Sequence, residues 1–419
     1  MAAVTTVTEL NGLFKRIYAD SLKDLIPKHA AIVKRVPFSQ RKRLGDTYEQ
    51  PVVLANEHGA TYAAAGAGAF TLNAPIAMTM QNARVPASQF VLRSRMDYET
   101  ASKASSGGER AFRQSVELMV MSMMNSTTHR LETAILYGVT GLGQISSTAN
   151  ASATSTVATI SNATWGVGIW AGSENAKIEI YESGGQVGTS SFTITSVDPV
   201  NKTLTLTGSA ADITILDADA NGTGVGLDIF WEGAYGNEMN GIDKIITNTG
   251  SLFGINAGTY TLWKGNSYAQ GGAITVSGLL KSTTVAIGKG GLMEDVVAWV
   301  SPTNFAVLNA EAYGKQEYDT SYSSAALKAG TTSLKLFAQS GLMEVIPHAM
   351  VKDGEAFIGP MGTIKRIGST DTTFNNPGMG DKFFRELTDS AGFELRNYYD
   401  QAIFITEPAK WTKMTGITV

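Results

Sequence analysis

Asp217-Ala-Asp219-Ala-Asn221-Gly222, followed by Asp228, has the spacing of a calcium-binding loop. Alternate oxygens at that spacing converge on one hard cation, and the glycine permits the sharp turn between them. Two features oppose this chemistry: the last ligand is Asp and not the longer, bidentate Glu, and the flanks read as strands, not helices. Asn-Gly beside Asp is also ordinary hairpin-turn chemistry, and a plain turn is the stronger expectation. Ala286-Ile-Gly-Lys-Gly-Gly291 has the residue types of a phosphate loop, but its first glycine is at the wrong distance. Gly222-Thr-Gly-Val-Gly226 falls between strands and lacks the helix that a dinucleotide fingerprint opens. The motifs His-Glu-x-x-His, Gly-x-x-x-x-Gly-Lys-Ser/Thr and Gly-x-Ser-x-Gly are all absent. His29, His58, His129 and His348 are scattered, and there is no Cys. That removes disulfide frameworks, Cys-ligated zinc, iron–sulfur clusters and thiol nucleophiles. No catalytic constellation remains, so neither an enzyme nor a cofactor is expected.

Charge is the more informative chemistry. The chain has 419 residues, a net charge of −4 and only 17% charged residues, against a usual share of about 25%. The total conceals a division. Residues 1–45 carry nine basic and three acidic side chains, a balance of +6, whereas residues 146–240 carry two basic and ten acidic ones, a balance of −8. Seven of the nine, Lys15, Arg16, Lys23, Lys28, Arg41, Lys42 and Arg43, are the candidate contact residues; Lys34 and Arg35 are the other two. A solvated helix face accounts for such a run, and so does an arm that touches phosphate or an acidic partner. Arg84 is the only basic residue between Leu44 and Leu92, where no Lys occurs.

These residues need elements to position them, and length allows two or three folding units. Apolar residues at Leu10, Leu13, Phe14, Ile17, Tyr18, Leu22 and Leu25 predict a helix that Pro27 stops. Extended runs at 50–54, 76–80 and 89–93 flank an Ala/Gly stretch at 59–69, which predicts a long two-stranded excursion with a flexible tip. Ser106-Gly-Gly-Glu109 has the form of a capping box ahead of a helix of about 30 residues, with Gly138 expected as its left-handed C-cap. The methionines at 119, 121, 123 and 124 read as adaptable core packing. Short strands at 176–182, 190–197, 203–207, 212–216 and 227–231 predict a small antiparallel β-domain. Beyond Gly241, helices are expected at 276–289 and 302–312, with strands at 296–300, 342–346, 355–358, 363–367, 393–399 and 402–406. No secretory or membrane-spanning segment is recognisable, so a soluble, cytoplasmically made chain is expected.

Several phrases carry a resemblance: the long capped helix Ser106–Gly138, Gly241-Ile-Asp-Lys-Ile-Ile-Thr-Asn-Thr-Gly250 with Phe253-Gly-Ile255, Val297-Ala-Trp-Val-Ser-Pro-Thr-Asn-Phe305, and Val345-Ile-Pro-His-Ala-Met-Val-Lys-Asp-Gly-Glu-Ala-Phe357. In these and in segment order, the chain resembles tailed-phage major capsid proteins of the Hong Kong 97-type fold. The resemblance implies an α+β fold with a basic N-arm (1–45), an E-loop excursion (46–95) and a peripheral domain with a spine helix (96–145). It further implies an inserted acidic β-rich domain (146–240), an axial domain (241–345) and remaining axial and peripheral strands (346–419). The implied function is self-assembly into pentamers and hexamers of an icosahedral shell around double-stranded DNA. Scaffolding protein and portal are implied partners, with assembly in the host bacterial cytoplasm and residence in the virion, without a membrane. The seven basic residues would then face DNA or scaffold. Some members of the family crosslink an E-loop Lys to a neighbour; the Lys-free stretch here implies shells that denature to monomers. The competing expectation, from the calcium spacing, is a secreted or surface-layer adhesin; the missing secretory segment and the long helix oppose it.

Overall fold

The computed structural model describes residues 31–40, 47–99, 109–222, 226–290, 295–314, 334–338, 341–375, 384–388 and 390–418. The expected helix before Pro27 and the Ser106 half of the capping box lie outside these. The long helix is present as Glu109–Tyr137. In its last two turns Leu131, Ala134, Ile135, Leu136 and Tyr137 are all buried. The methionine cluster divides, with Met123 buried and Met121 and Met124 about half exposed (47% and 48%).

The excursion is a hairpin of Thr47–Ala55 paired antiparallel with Thr79–Pro86, carrying residues 56–78 at its tip. Gln89–Arg93, expected in the same excursion, belongs elsewhere. Strand Ser88–Asp97 pairs along its whole length with Gly392–Ile405, roughly 300 residues later. The two strands expected at 393–399 and 402–406 are this single strand. It lies in a five-stranded sheet with Ile364–Thr373, Phe38–Gln40 and Phe384–Glu386.

The acidic β-rich segment closes on itself. In sequence order its strands are Gln144–Ser152, Ser155–Ile160, Lys177–Glu182, Phe192–Asp198, Thr203–Thr207 and Leu227–Trp231. Each is paired on both sides, because Leu227–Trp231 joins both Gln144–Ser152 and Lys177–Glu182. The result is an antiparallel barrel of these six strands, with the two-residue strand Gly185–Gln186 pairing beside it on Lys177–Glu182. Alternation places Ala158, Ile160, Ile178, Ile180, Phe192, Ile194, Leu204 and Leu206 inside, as a barrel too narrow for a lumen requires.

The final unit is a mixed six-stranded sheet ordered Asn266–Gly272, Thr412–Ile417, Ala356–Pro360, Val296–Val300, Gly341–Pro347 and Leu334–Ala338. Val296–Val300 is buried along its whole length. Side chains alternate between its faces. Val296, Ala298 and Val300 pack with Leu279 and Leu308 of the helices Val276–Ser282 and Pro302–Gly314, while Val297 and Trp299 join the main core. The helix expected over 276–289 is two short helices, Val276–Ser282 and Thr284–Gly288.

Candidate functional site

The seven basic residues Lys15, Arg16, Lys23, Lys28, Arg41, Lys42 and Arg43 lie outside the described residues. The calcium spacing is not realised as a loop. Residues 212–216, expected as a strand, lie in helix Ala210–Asn221, as do Asp217, Asp219 and Asn221. Ser209 caps this helix: its hydroxyl accepts the Asp212 N–H at 3.1 Å and donates to the Asp212 carboxylate at 2.7 Å. Ile213 and Leu216, one turn apart, are fully buried. A helix sets Asp217 and Asn221 on one face and Asp219 on the other. Asp217 accepts from Thr156 and Asn150, Asn221 bonds Thr148, and Asp228 accepts from Gln144. Among the described residues no three His, Asp or Glu side chains are grouped to hold a metal ion. The Ser-x-x-Asp cap and the i, i+3 apolar pair were the available helix signals.

Exposure singles out the hairpin. Tyr62 is 92% and Leu72 74% exposed, and Phe70, Ile76, Met78, Met80 and Val53 are each about half exposed. Tyr48, Leu54, Ala83 and Val85 at its base are buried, and the Arg84 N–H donates to the Phe253 carbonyl at 2.8 Å. Phe253 and Gly254 have φ of 55° and 81°, the turn of a hairpin between Ser251–Leu252 and Ile255–Asn256. Burial of the Phe253 ring, 5.9 Å from that of Phe404, offsets its left-handed backbone. A rigid base thus carries an apolar tip into solvent, the signature of a surface meant to be covered.

A buried carboxylate holds the start of the described chain to the long helix. Glu132 is fully buried; Oε2 accepts the Val33 N–H at 3.0 Å, and Oε1 accepts the Ile32 N–H at 2.6 Å and His348 Nε2–H at 2.9 Å. His348 Nδ1 accepts the Met350 N–H at 3.2 Å, which assigns the ring proton to Nε2. One side chain therefore joins three segments: helix Ala31–Arg35, the long helix, and the turn after Gly341–Pro347. Neither Glu132 nor His348 stands out by motif. The one available signal is a charge set in the apolar run Leu131–Tyr137.

The end of the long helix is a second joint. Gly138, expected in the left-handed conformation, is not; Val139 takes it, with φ of 72°. Gly138 is instead required by space, since a Cβ there would lie 2.1 Å from the Met239 carbonyl oxygen. A β-branched residue in this region stores about 1–3 kcal/mol of strain. The Val139 N–H donates to Glu238, whose carboxyl is pushed up to about 7 by burial, against the pull of that N–H and of Arg130. Burial lowers Arg130 to about 10, and its guanidinium lies 3.5 Å over the Trp231 ring. Burial likewise raises Tyr399. These groups line a cleft of about 410 Å³ between barrel, long helix and five-stranded sheet.

Because the folded carboxyl of Glu238 binds its proton more tightly than the unfolded one, it favours the fold below its unfolded value and loses that contribution as pH rises through about 7. The chain is expected to lose up to about 3 kcal/mol from this group between pH 4.5 and 7. Glu238→Gln should flatten that part of the profile. Urea unfolding at pH 5 and pH 8 checks it, and equal pH responses of the two proteins would refute the assignment.

Charged residues also gather beneath the mixed sheet. Lys413 Nζ lies 2.7 Å from both Asp243 Oδ1 and Glu355 Oε1, and Lys202 pairs with Asp353 at 3.2 Å. Burial pulls Lys413 down, but the Glu355 and Asp243 carboxylates outweigh it and leave it raised. Lys352 is lowered by burial, which those same carboxylates oppose. Burial raises Tyr137, whose hydroxyl accepts the Lys352 N–H at 2.9 Å.

The sequence matches no family model and no curated protein. Solved structures do match. The cyanophage A-1(L) capsid subunit is similar over 99% of this chain and 100% of its own, with a TM-score of 0.57 at 10% identity. The capsid subunit of a native GTA particle is similar over 100% of both chains, with a TM-score of 0.50 at 7% identity. The chain has the phage-capsid fold of the Hong Kong 97 type.

Proposed function

We propose that this chain is a major capsid protein, a structural and non-enzymatic subunit that self-assembles through pentamers and hexamers into an icosahedral shell around double-stranded DNA. The observation that carries this reading is the exposed apolar hairpin on a capsid-type fold, because an exposed apolar surface of this kind marks a site of contact with another surface. A second copy of the chain is the natural cover, since closed shells repeat one contact many times. In this reading the Thr47–Ala55/Thr79–Pro86 hairpin is the E-loop, Glu109–Tyr137 the spine helix, and the five-stranded sheet part of the peripheral domain. The mixed sheet is the axial domain and the barrel an insertion between them. The basic N-arm residues would offset phosphate charge without reading sequence, or hold scaffold before packaging. Scaffolding protein and portal are the further expected partners, and the virion is the site of action. No described helix is long and apolar enough to cross a membrane.

Negative-stain electron microscopy of the purified protein, alone and co-produced with the products of neighbouring genes, tests this. Rings of five or six subunits, or closed shells, are expected. A stable monomer under every condition would overturn the reading.

A further inference from the structure

Lys413 stands between two carboxylates at equal reach, 2.7 Å from Asp243 Oδ1 and 2.7 Å from Glu355 Oε1. The three side chains are 9%, 7% and 14% exposed, so water has little access to them. Three separate elements bring them together. Lys413 is on strand Thr412–Ile417, Asp243 is in the first turn of helix Ile242–Thr247, and Glu355 precedes the strand whose Phe357 pairs with Lys413. The Phe357 ring centre lies 5.8 Å from the Lys413 amine. Glu355 Oε2 is buried and has no hydrogen-bond partner among the described residues. Lys352 is otherwise engaged: its amine donates to the Gly141 carbonyl at 3.0 Å and sits 4.0 Å over the Tyr137 ring. One amine, one carboxyl and a second carboxyl with an uncommitted oxygen are thus held together out of water.

We infer that Lys413 and Asp243 condense to an intrachain isopeptide bond, with Glu355 as the proton carrier. Glu355 takes a proton from the Lys413 ammonium and passes it to the Asp243 carboxylate, leaving a neutral amine facing a neutral acid. The amine lone pair attacks Asp243 Cγ. Glu355 then moves the second amine proton to the departing hydroxyl, the C–O bond breaks, and water leaves. Ammonium and carboxylate become amide and water, so charge and atoms balance and no other reactant is needed. Fixed geometry supplies the drive, since positioned intramolecular partners act at effective concentrations of about 10⁵ M or more. The product also removes two charges from a site where holding them is costly. The bond joins positions 170 residues apart and ties the last strand to the helix beside the long helix. Because the link is within one chain, it is compatible with shells that denature to monomers.

Intact-mass measurement of the full-length protein is the test, followed by a tryptic map. The expected chain is one water lighter than its sequence, with a branched peptide joining Asp243 to Lys413 and no cleavage after Lys413. Glu355→Gln should return the full sequence mass and the two linear peptides. A wild-type chain at full mass overturns the inference, whether or not any variant folds. So does a water loss without the branched peptide, as ring closure at Asp353-Gly354 would produce. A branched peptide persisting in Glu355→Gln would remove Glu355 from the reaction.

Discussion

Glu132→Ala should destabilise this protein by about 3–5 kcal/mol, because a buried donor left without its acceptor costs about 1–3 kcal/mol. The substitution strands three buried donors at once: the Ile32 and Val33 amides and His348 Nε2–H. Each loses its acceptor where no water replaces it. The effect should spread, because Glu132 is the point where helix Ala31–Arg35, the long helix and the turn carrying His348 meet. Glu132→Gln keeps the shape but offers one acceptor oxygen and turns an NH₂ toward donors, so an intermediate loss is expected. Urea unfolding of both variants against the parent chain measures this. A loss under about 1 kcal/mol for Glu132→Ala would mean the carboxylate is not the anchor assigned here.

Replacing Tyr62, Leu72 and Ile76 together with Ser should abolish particle formation while leaving the subunit folded. All three are exposed in the single chain, at 92%, 74% and 57%, so its own core loses nothing. Substitutions at such positions usually change stability by no more than about 0.5 kcal/mol. If a neighbouring copy covers them, each buried apolar side chain contributes about 1.5–3 kcal/mol to the contact. Three lost from every subunit weaken each contact by a few kcal/mol, or at least about a hundredfold in affinity. A shell multiplies this over all its contacts, since weak single contacts act together. Sedimentation and electron microscopy should then find only small species, with circular dichroism unchanged. Shells in normal yield from the triple variant would show that the tip is not an assembly surface.

Local order was largely legible in the residues. The apolar spacing after Glu109 placed the long helix, turn-bounded short runs placed four of the barrel strands but missed Gln144–Ser152 and Ser155–Ile160, and a continuous apolar run placed the buried strand Val296–Val300. The Ala/Gly stretch between extended runs placed the hairpin. Misreadings arose where two local patterns compete. Asp217 to Asn221 match both a cation loop and a helix, and the buried pair Ile213 and Leu216 decides for the helix. Gly138 fits a left-handed cap by type, but close packing against Met239 uses its missing Cβ, and the strained conformation passes to Val139.

Periodicity, caps and glycine runs act over a few residues, so they are written in the chain as neighbours and can be read there. They established which segments are helix or strand, where charge is divided, and that Cys chemistry is absent. Which strands meet is a different kind of fact. Closure of the barrel by Leu227–Trp231, the pairing of Ser88–Asp97 with Gly392–Ile405, and the meeting of Lys413, Asp243 and Glu355 all join positions far apart in the chain. The same holds for charge: Glu132 and Glu238 are ordinary acidic residues until folding removes the water around them and sets specific donors beside them. Burial and pairing are properties of the assembled core, which is why a fold shared at 10% identity with the cyanophage subunit is evident in three dimensions and faint in the letters.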